Sequence, residues 1–186
     1  LTGNAAVFQK QADGRLSAAA TVLLLPYLAG VRLNMAYWLH GKAKTARVRD
    51  DVLIGSVSGI SDDLPAVLDV CAEYPRPRYR GAYRALPLLD MVAPSENDLV
   101  QAAVLLEELR QQHGKVLICC ALGYGRSAAV ILTWLLVYGG CRDLAQATAE
   151  LKQARPQMVL PPKTEKAVEA AAGYLKNFGA DQKENP

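Results

Sequence analysis

Histidine is scarce in this chain of 186 residues, which has only His40 and His113, and its four cysteines at 71, 119, 120 and 141 contain no C-x-x-C pair. A structural zinc site has little to be built from, and no metal is expected. Aromatic residues make up only 6%, leaving few stacking platforms, and a formal charge of +3 is too small for a nucleic-acid footprint. Nucleic acid is therefore excluded as a partner. Long apolar runs are missing too: the most apolar stretch, Leu16 to Val31, carries no formal charge but is broken by Pro26. It falls short of the ~20 residues that a bilayer span wants.

What is present describes one ordinary globular domain: 51% hydrophobic and 21% charged residues, with 14 Gly and 10 Pro. A domain of this size hides roughly 70% of the surface of its unfolded chain, so it needs no disulfide to hold a core. The thiols are expected to be reduced, in a cytoplasmic setting, and free for chemistry. A monomer is expected. The first residue is Leu1, and the chain reads as a piece of something longer, membrane-associated through its apolar segment. Residues 1–47 read as an apolar helical extension with a basic linker, 48–178 as the domain proper, and 179–186 as a frayed tail.

Three readings of the extension stand at this level. Its helix packs on the domain; or it lies in a membrane interface, with Tyr37 and Trp38 as anchors and Arg32, Lys42, Lys44, Arg47 and Arg49 on the wet side. The third is a true span, which requires Arg32 and Asn34 to be swallowed as well. A membrane surface met through residues 16–49 is thus one expected partner.

Beyond the linker, Val52 to Gly55, Ala66 to Tyr74 and Tyr83 to Leu89 read as strands. Ser95 with Asp98 three residues on resembles a capping box, and LVQAAVLLEELRQQ repeats apolar residues at helical spacing. Lys115 to Cys120 suits a central buried strand. A helix from Ser127 ends at Gly139-Gly140, another opens at Asp143 and stops at Arg155-Pro156, and a last one runs from Lys163 to Asn177. Strands interleaved with helices predict an α/β fold, a central mostly parallel sheet flanked by helices.

The informative feature is a strand that feeds a glycine-containing turn and then a helix start: VLICC, ALGYG, RSAAVILTW. Such a turn directs successive N–H groups at one spot, and the helix dipole adds positive potential there. Residues Ala121, Leu122, Gly123, Tyr124 and Gly125 are the expected phosphate-binding backbone, with Gly123 and Gly125 letting it curl. Arg126 supplies a planar fork for two oxygens of a phosphate. A thiol beside that helix start and that arginine is acidified, which makes Cys120 a nucleophile. Ser127 is placed to hydrogen-bond the sulfur. Cys119 points to the other side of the strand and reads as core, Cys71 as packing rather than a redox partner, and Cys141 as inert.

Cys120-Ala121-Leu122-Gly123-Tyr124-Gly125-Arg126-Ser127 resembles the signature of the Cys-based protein tyrosine phosphatases, within them the dual-specificity branch: Cys, five residues, Arg, then Ser or Thr. The resemblance covers about Val52 to Ala172. It implies Cys120 as nucleophile, Arg126 as the phosphate-gripping arginine and Ser127 as the hydroxyl behind the sulfur. Leu86-Pro87-Leu88-Leu89-Asp90 is similar to the segment that ends in the family's general acid, which implies Asp90 in that role. The family usually has His immediately before the nucleophile, where this chain has Cys119.

The implied reaction is metal-free, cofactor-free hydrolysis of a phosphomonoester through a cysteinyl-phosphate. No cation stands among residues 121–125, which argues for a singly phosphorylated group on a protein or a simple phospholipid. The upstream apolar segment followed by RVRDDVLIGSVSG resembles the entry to a mitochondrial dual-specificity phosphatase that acts on phosphatidylglycerophosphate, and to bacterial chains that follow a membrane phosphatase domain. Glu73-Tyr74 matches part of an acidic-aromatic loop near the site of the mitochondrial enzyme. The competing class is a binding module that captures phosphate without turnover.

Overall fold

Apolar residues follow one another without interruption from Val116 to Cys120, and they form a strand, β5 (Val116–Cys120), in which all five side chains are buried. The computed structural model describes residues 5–184. In it β5 is the middle strand of a five-stranded sheet. The other strands are β1 (Thr45–Arg47), β2 (Val52–Ser56), β3 (Ala66–Cys71) and β4 (Ala82–Leu88), in the order β1-β2-β5-β3-β4. Strand β5 pairs in parallel with β2 and β3, and β3 with β4, while β1 runs antiparallel along the edge. The chain is thus α/β with a mostly parallel sheet, as the alternation of elements implies. Edge strand β1 has no apolar run to mark it; it sits inside the basic stretch.

The helices are α1 (Ala18–Leu23), α2 (Leu25–Leu39), α3 (Glu96–His113), α4 (Arg126–Val137), α5 (Leu144–Ala154) and α6 (Pro162–Glu184). Helix α3 opens with a reciprocal cap: Ser95 accepts from the Asp98 N–H and Asp98 from the Ser95 N–H, both at 3.1 Å. It closes on Gly114 in the left-handed conformation. Helices α3 and α4 lie on the sheet, and α6 packs against both.

Two boundaries differ from expectation. The apolar segment is not one helix: it divides at Leu24, and Pro26 falls in the first turn of α2, where its missing N–H costs nothing. No helix among the described residues is long and apolar enough to cross a membrane. At the other end α6 passes Asn177 and stays helical to Glu184; of the frayed tail expected at 179–186, residues 185–186 lie outside the described part.

The N-terminal segment is fastened to the sheet. Asp69, in the middle of β3, is fully buried, and Lys10 reaches it with its ammonium 2.5 Å from the carboxylate. Lys10 also donates to the Cys71 carbonyl at 2.5 Å, while Tyr83 and the Cys71 amide donate to Asp69. A carboxylate in a buried strand survives only with such partners.

Because β2, β3, β4 and β5 are all parallel, their carboxyl ends meet along one edge of the sheet. Crevices at that edge, beside a change in strand order, are where open α/β sheets bind ligands. Here the strand ends lead to Ser56, Glu73, Asp90 and Cys120.

Candidate active site

The loop from Cys120 to Arg126 joins β5 to α4, and its carbonyls are held from outside. Ser56 donates to the Ala121 carbonyl at 2.6 Å. Arg155 donates to those of Leu122 and Gly123 at 2.9 and 3.4 Å, and the Val159 amide to that of Tyr124 at 2.9 Å. In a trans peptide the N–H points opposite to the C=O. Four carbonyls turned outward therefore turn the amides of Leu122, Gly123, Tyr124 and Gly125 inward, which makes an anion-binding concavity. Helix α4 starts there without a side-chain cap, so its first-turn amides and dipole add to it.

Gly123 is required by both conformation and space. Its φ is +76°, and a β-carbon on it would lie 2.6 Å from the Gly55 carbonyl oxygen. Gly125, expected to be needed for the same curl, has φ −112° and would meet no protein atom within 4 Å. The steric demand falls on Gly123.

Cys120 sits at the base of the concavity. The Gly123 N–H points to its sulfur at 3.2 Å, and the Ser127 hydroxyl lies 3.4 Å away. Burial disfavours the thiolate, but the Arg126 charge, the Ser127 hydroxyl and the loop amides outweigh it and hold the thiol below its ordinary pKa. Cys119 faces the other side of the sheet, where burial and Asp69 push its thiol well up. Alkylation by iodoacetamide followed against pH tests this. The midpoint for Cys120 should lie below that of an unperturbed thiol, because the thiolate is the reacting form. Ser127→Ala should move that midpoint upward.

Arg126 is 5% exposed, and its two terminal nitrogens donate to both Glu73 oxygens at 2.6 and 2.7 Å. One of them also donates to the Leu88 carbonyl at 3.0 Å. Burial works against ionised Glu73, but the guanidinium holds its carboxyl below the ordinary range. The Arg126 Nε–H is buried without an acceptor. Asp90 follows β4 and lies 3.3 Å from Arg126, with 62% of its side chain exposed. Cys71 is fully buried; burial pushes its thiol well up, against the pull of Arg126.

Of the residues expected at the site, Asp90, Cys120, Ala121, Leu122, Tyr124, Gly125 and Arg126 line one opening, while Gly123 and the fully buried Ser127 stand behind it against the sulfur. The opening continues into a cleft of about 1150 Å³ whose walls come from α2, the segment after Asp90, the phosphate loop and the start of α6. Three participants carry no clear sequence signal: Ser56, Arg155 and the α2 wall. Arg155 reads from sequence as a helix stop, yet it is 2% exposed and stacks 4.9 Å from the Tyr124 ring centroid. Glu73 is marked by resemblance only as lying near a site; its grip on Arg126 emerges from the fold.

A family model described as the dual specificity phosphatase catalytic domain matches residues 62–167, more than half of the chain. The chain belongs to the dual-specificity phosphatase family. Solved structures agree on the fold. A mouse dual specificity phosphatase complexed with zinc tungstate superposes with a TM-score of 0.66 at 23% identity, over 73% of this chain and 91% of that one. Human DUSP28 gives 0.64 at 23%, over 72% and 96%. PTPMT1 in complex with PI(5)P gives 0.61 at 13%, over 74% and 99%. A comparison with curated protein sequences gives no match.

Proposed function

We propose that this member of the family hydrolyses phosphomonoesters through a cysteinyl-phosphate on Cys120. The observation that carries the reading is the sulfur itself, depressed in pKa and set beneath inward-turned amides and Arg126. The thiolate attacks phosphorus, forming an S–P bond as the P–O bond to the leaving group breaks. Asp90 gives its proton to the departing oxygen. Water then attacks phosphorus and gives a proton to Asp90; the S–P bond breaks, and inorganic phosphate leaves with the thiolate restored. The loop amides hold the equatorial oxygens, where transition-state charge resides; the Arg126 fork expected to grip two of them is bound to Glu73, so Arg126 adds its charge and its Nε–H. An equatorial oxygen is also the acceptor that the buried Arg126 Nε–H lacks.

The substrate we infer is a simple phospholipid monoester rather than a phosphorylated protein side chain. Val31, Met35 and Trp38 of α2 face the cleft together with Met91 and Val92, and such walls suit an acyl chain better than a charged peptide. PTPMT1, a fold neighbour, was solved in complex with PI(5)P. One observation favours the alternative of phosphate capture without turnover: Asp90, the acid of this scheme, lies against Arg126 at 3.3 Å.

Turnover of p-nitrophenyl phosphate in the presence of EDTA, with acid quenching to trap phosphate on the Cys120 peptide, separates the two. Hydrolysis with a phosphorylated Cys120 is expected; vanadate binding without hydrolysis favours capture. Asp90→Asn should lower turnover of an alkyl phosphate by about 10² or more. Turnover of p-nitrophenyl phosphate should fall less, because its leaving group needs little protonation and only the second step then lacks its base. Phosphatidic acid compared with a phosphotyrosine peptide decides the substrate class.

A further inference from the structure

Helix α2 has apolar residues on every side, with Arg32 and Asn34 its only strongly polar side chains, a pattern that suits a helix enclosed all round. This fold encloses one side only. Leu28, Met35 and Leu39 are buried, whereas Leu33 and Tyr37, one turn apart on the far side, are 74% and 76% exposed. The bare surface extends to Val22 and Leu23 at the end of α1, which are 67% and 79% exposed. At the cleft, Met91 is 97% exposed and sits in the left-handed region at φ 60°. A monomer in water rarely leaves so many large apolar side chains bare on two successive helices.

The charge carried by the α1–α2 segment has one sign. From Gly14 to Arg49 the chain carries Arg15, Arg32, Lys42, Lys44, Arg47 and Arg49 and no Asp or Glu. Carboxylates neutralise Arg15, Arg47 and Arg49. Arg32, Lys42 and Lys44 are exposed and have no carboxylate partner among the described residues. Lys42 lines the cleft, 5.7 and 5.9 Å from the ring centroids of Trp38 and Tyr124, while Arg32 lies 5.9 Å from the Tyr74 ring centroid.

Apolar side chains with interfacial aromatics, on a segment whose unpaired charges are all cationic, match an anionic bilayer surface. We infer that the α1–α2 face, together with Met91, docks this domain on an anionic bilayer so that the cleft opens onto lipid. Resting on the phosphatase reading above, the substrate is then a phosphomonoester lipid taken from that bilayer. Its headgroup reaches the Cys120 loop while its chains stay against α2 and the membrane.

Sedimentation of the full chain with vesicles tests the docking without any turnover. Binding to phosphatidylcholine vesicles containing phosphatidylglycerol, much weaker binding to phosphatidylcholine alone, and release by salt are expected. The double variant Leu33→Asp/Tyr37→Asp should bind at least about 10-fold more weakly. Arg32→Glu/Lys44→Glu should lose the preference for anionic vesicles by a similar factor. None of these four residues lines the cleft, so p-nitrophenyl phosphate turnover should stay at the parent level in both variants. Hydrolysis of phosphatidic acid should fall in vesicles but not with a soluble short-chain form. The inference is overturned if the parent stays in the supernatant with both vesicle types, or if the variants sediment as the parent does. It is equally overturned if the parent is a dimer that Leu33→Asp/Tyr37→Asp disperses, since a second copy then covers the face. Vesicle binding with no turnover of any phosphomonoester would instead sink the phosphatase reading and leave the docking surface standing.

Discussion

Cys120→Ser is expected to lower turnover of p-nitrophenyl phosphate by about 10⁴-fold or more, because loss of the nucleophile removes the whole covalent route at once. The reason is the ionisation of the attacking atom. The surroundings that hold the thiol below its ordinary pKa, namely the Arg126 charge, the Ser127 hydroxyl and the Gly123 amide, cannot bring a serine hydroxyl to a populated alkoxide near neutral pH. Oxygen is close enough to sulfur in size that the loop should keep its shape. Vanadate and phosphate should therefore still bind, and isothermal titration beside the kinetic assay measures both. A variant that hydrolyses within about tenfold of the parent would show that the nucleophile lies elsewhere.

Glu73→Ala is expected to damage both folding and chemistry. It removes both carboxylate oxygens from a guanidinium that is only 5% exposed. Breaking one side of a buried ion pair costs about 3–5 kcal/mol, since the remaining charge is left in a poor solvent. The Leu88 carbonyl and the largely exposed Asp90 do not hold the fork in register, so turnover should fall by about 10²-fold or more through lost orientation. Urea unfolding measures the first effect and kcat/KM the second. Glu73→Gln keeps the side-chain volume and one acceptor, so it should restore part of the stability while activity stays low. Full activity in Glu73→Ala would mean that Arg126 does not depend on the carboxylate for its position.

Local patterns with local physics are legible in the chain alone. The capping pair Ser95 and Asp98, the uninterrupted apolar run of β5, and the Cys120-to-Arg126 spacing each place their elements within a residue or two. What stays hidden depends on neighbours distant in sequence. Ser56 looks like a strand end and holds the loop only because β2 pairs with β5 in a register that sets it beside Cys120. Arg155 looks like a helix stop, and nothing nearby reveals that its fork meets carbonyls more than thirty residues earlier. Asp69 is an acid inside an apolar strand, and its partner Lys10 comes from a segment with no marked preference for the sheet. The apolar run at Leu16 to Val31 shows that something must cover it; that α2 forms a wall of the active-site cleft is visible only in three dimensions.

The sheet order β1-β2-β5-β3-β4 inserts the strand that emerges last during synthesis between two that emerge earlier. While the ribosome has yet to deliver residues 116–120, β2 and β3 have no common partner, and neither Glu73 nor Asp90 has Arg126 to meet. Cys120 in the nascent polypeptide is accordingly an unremarkable thiol. Its acidity, and with it any vulnerability to peroxide, switches on only once translation has passed the following helix and the sheet has closed around its centre.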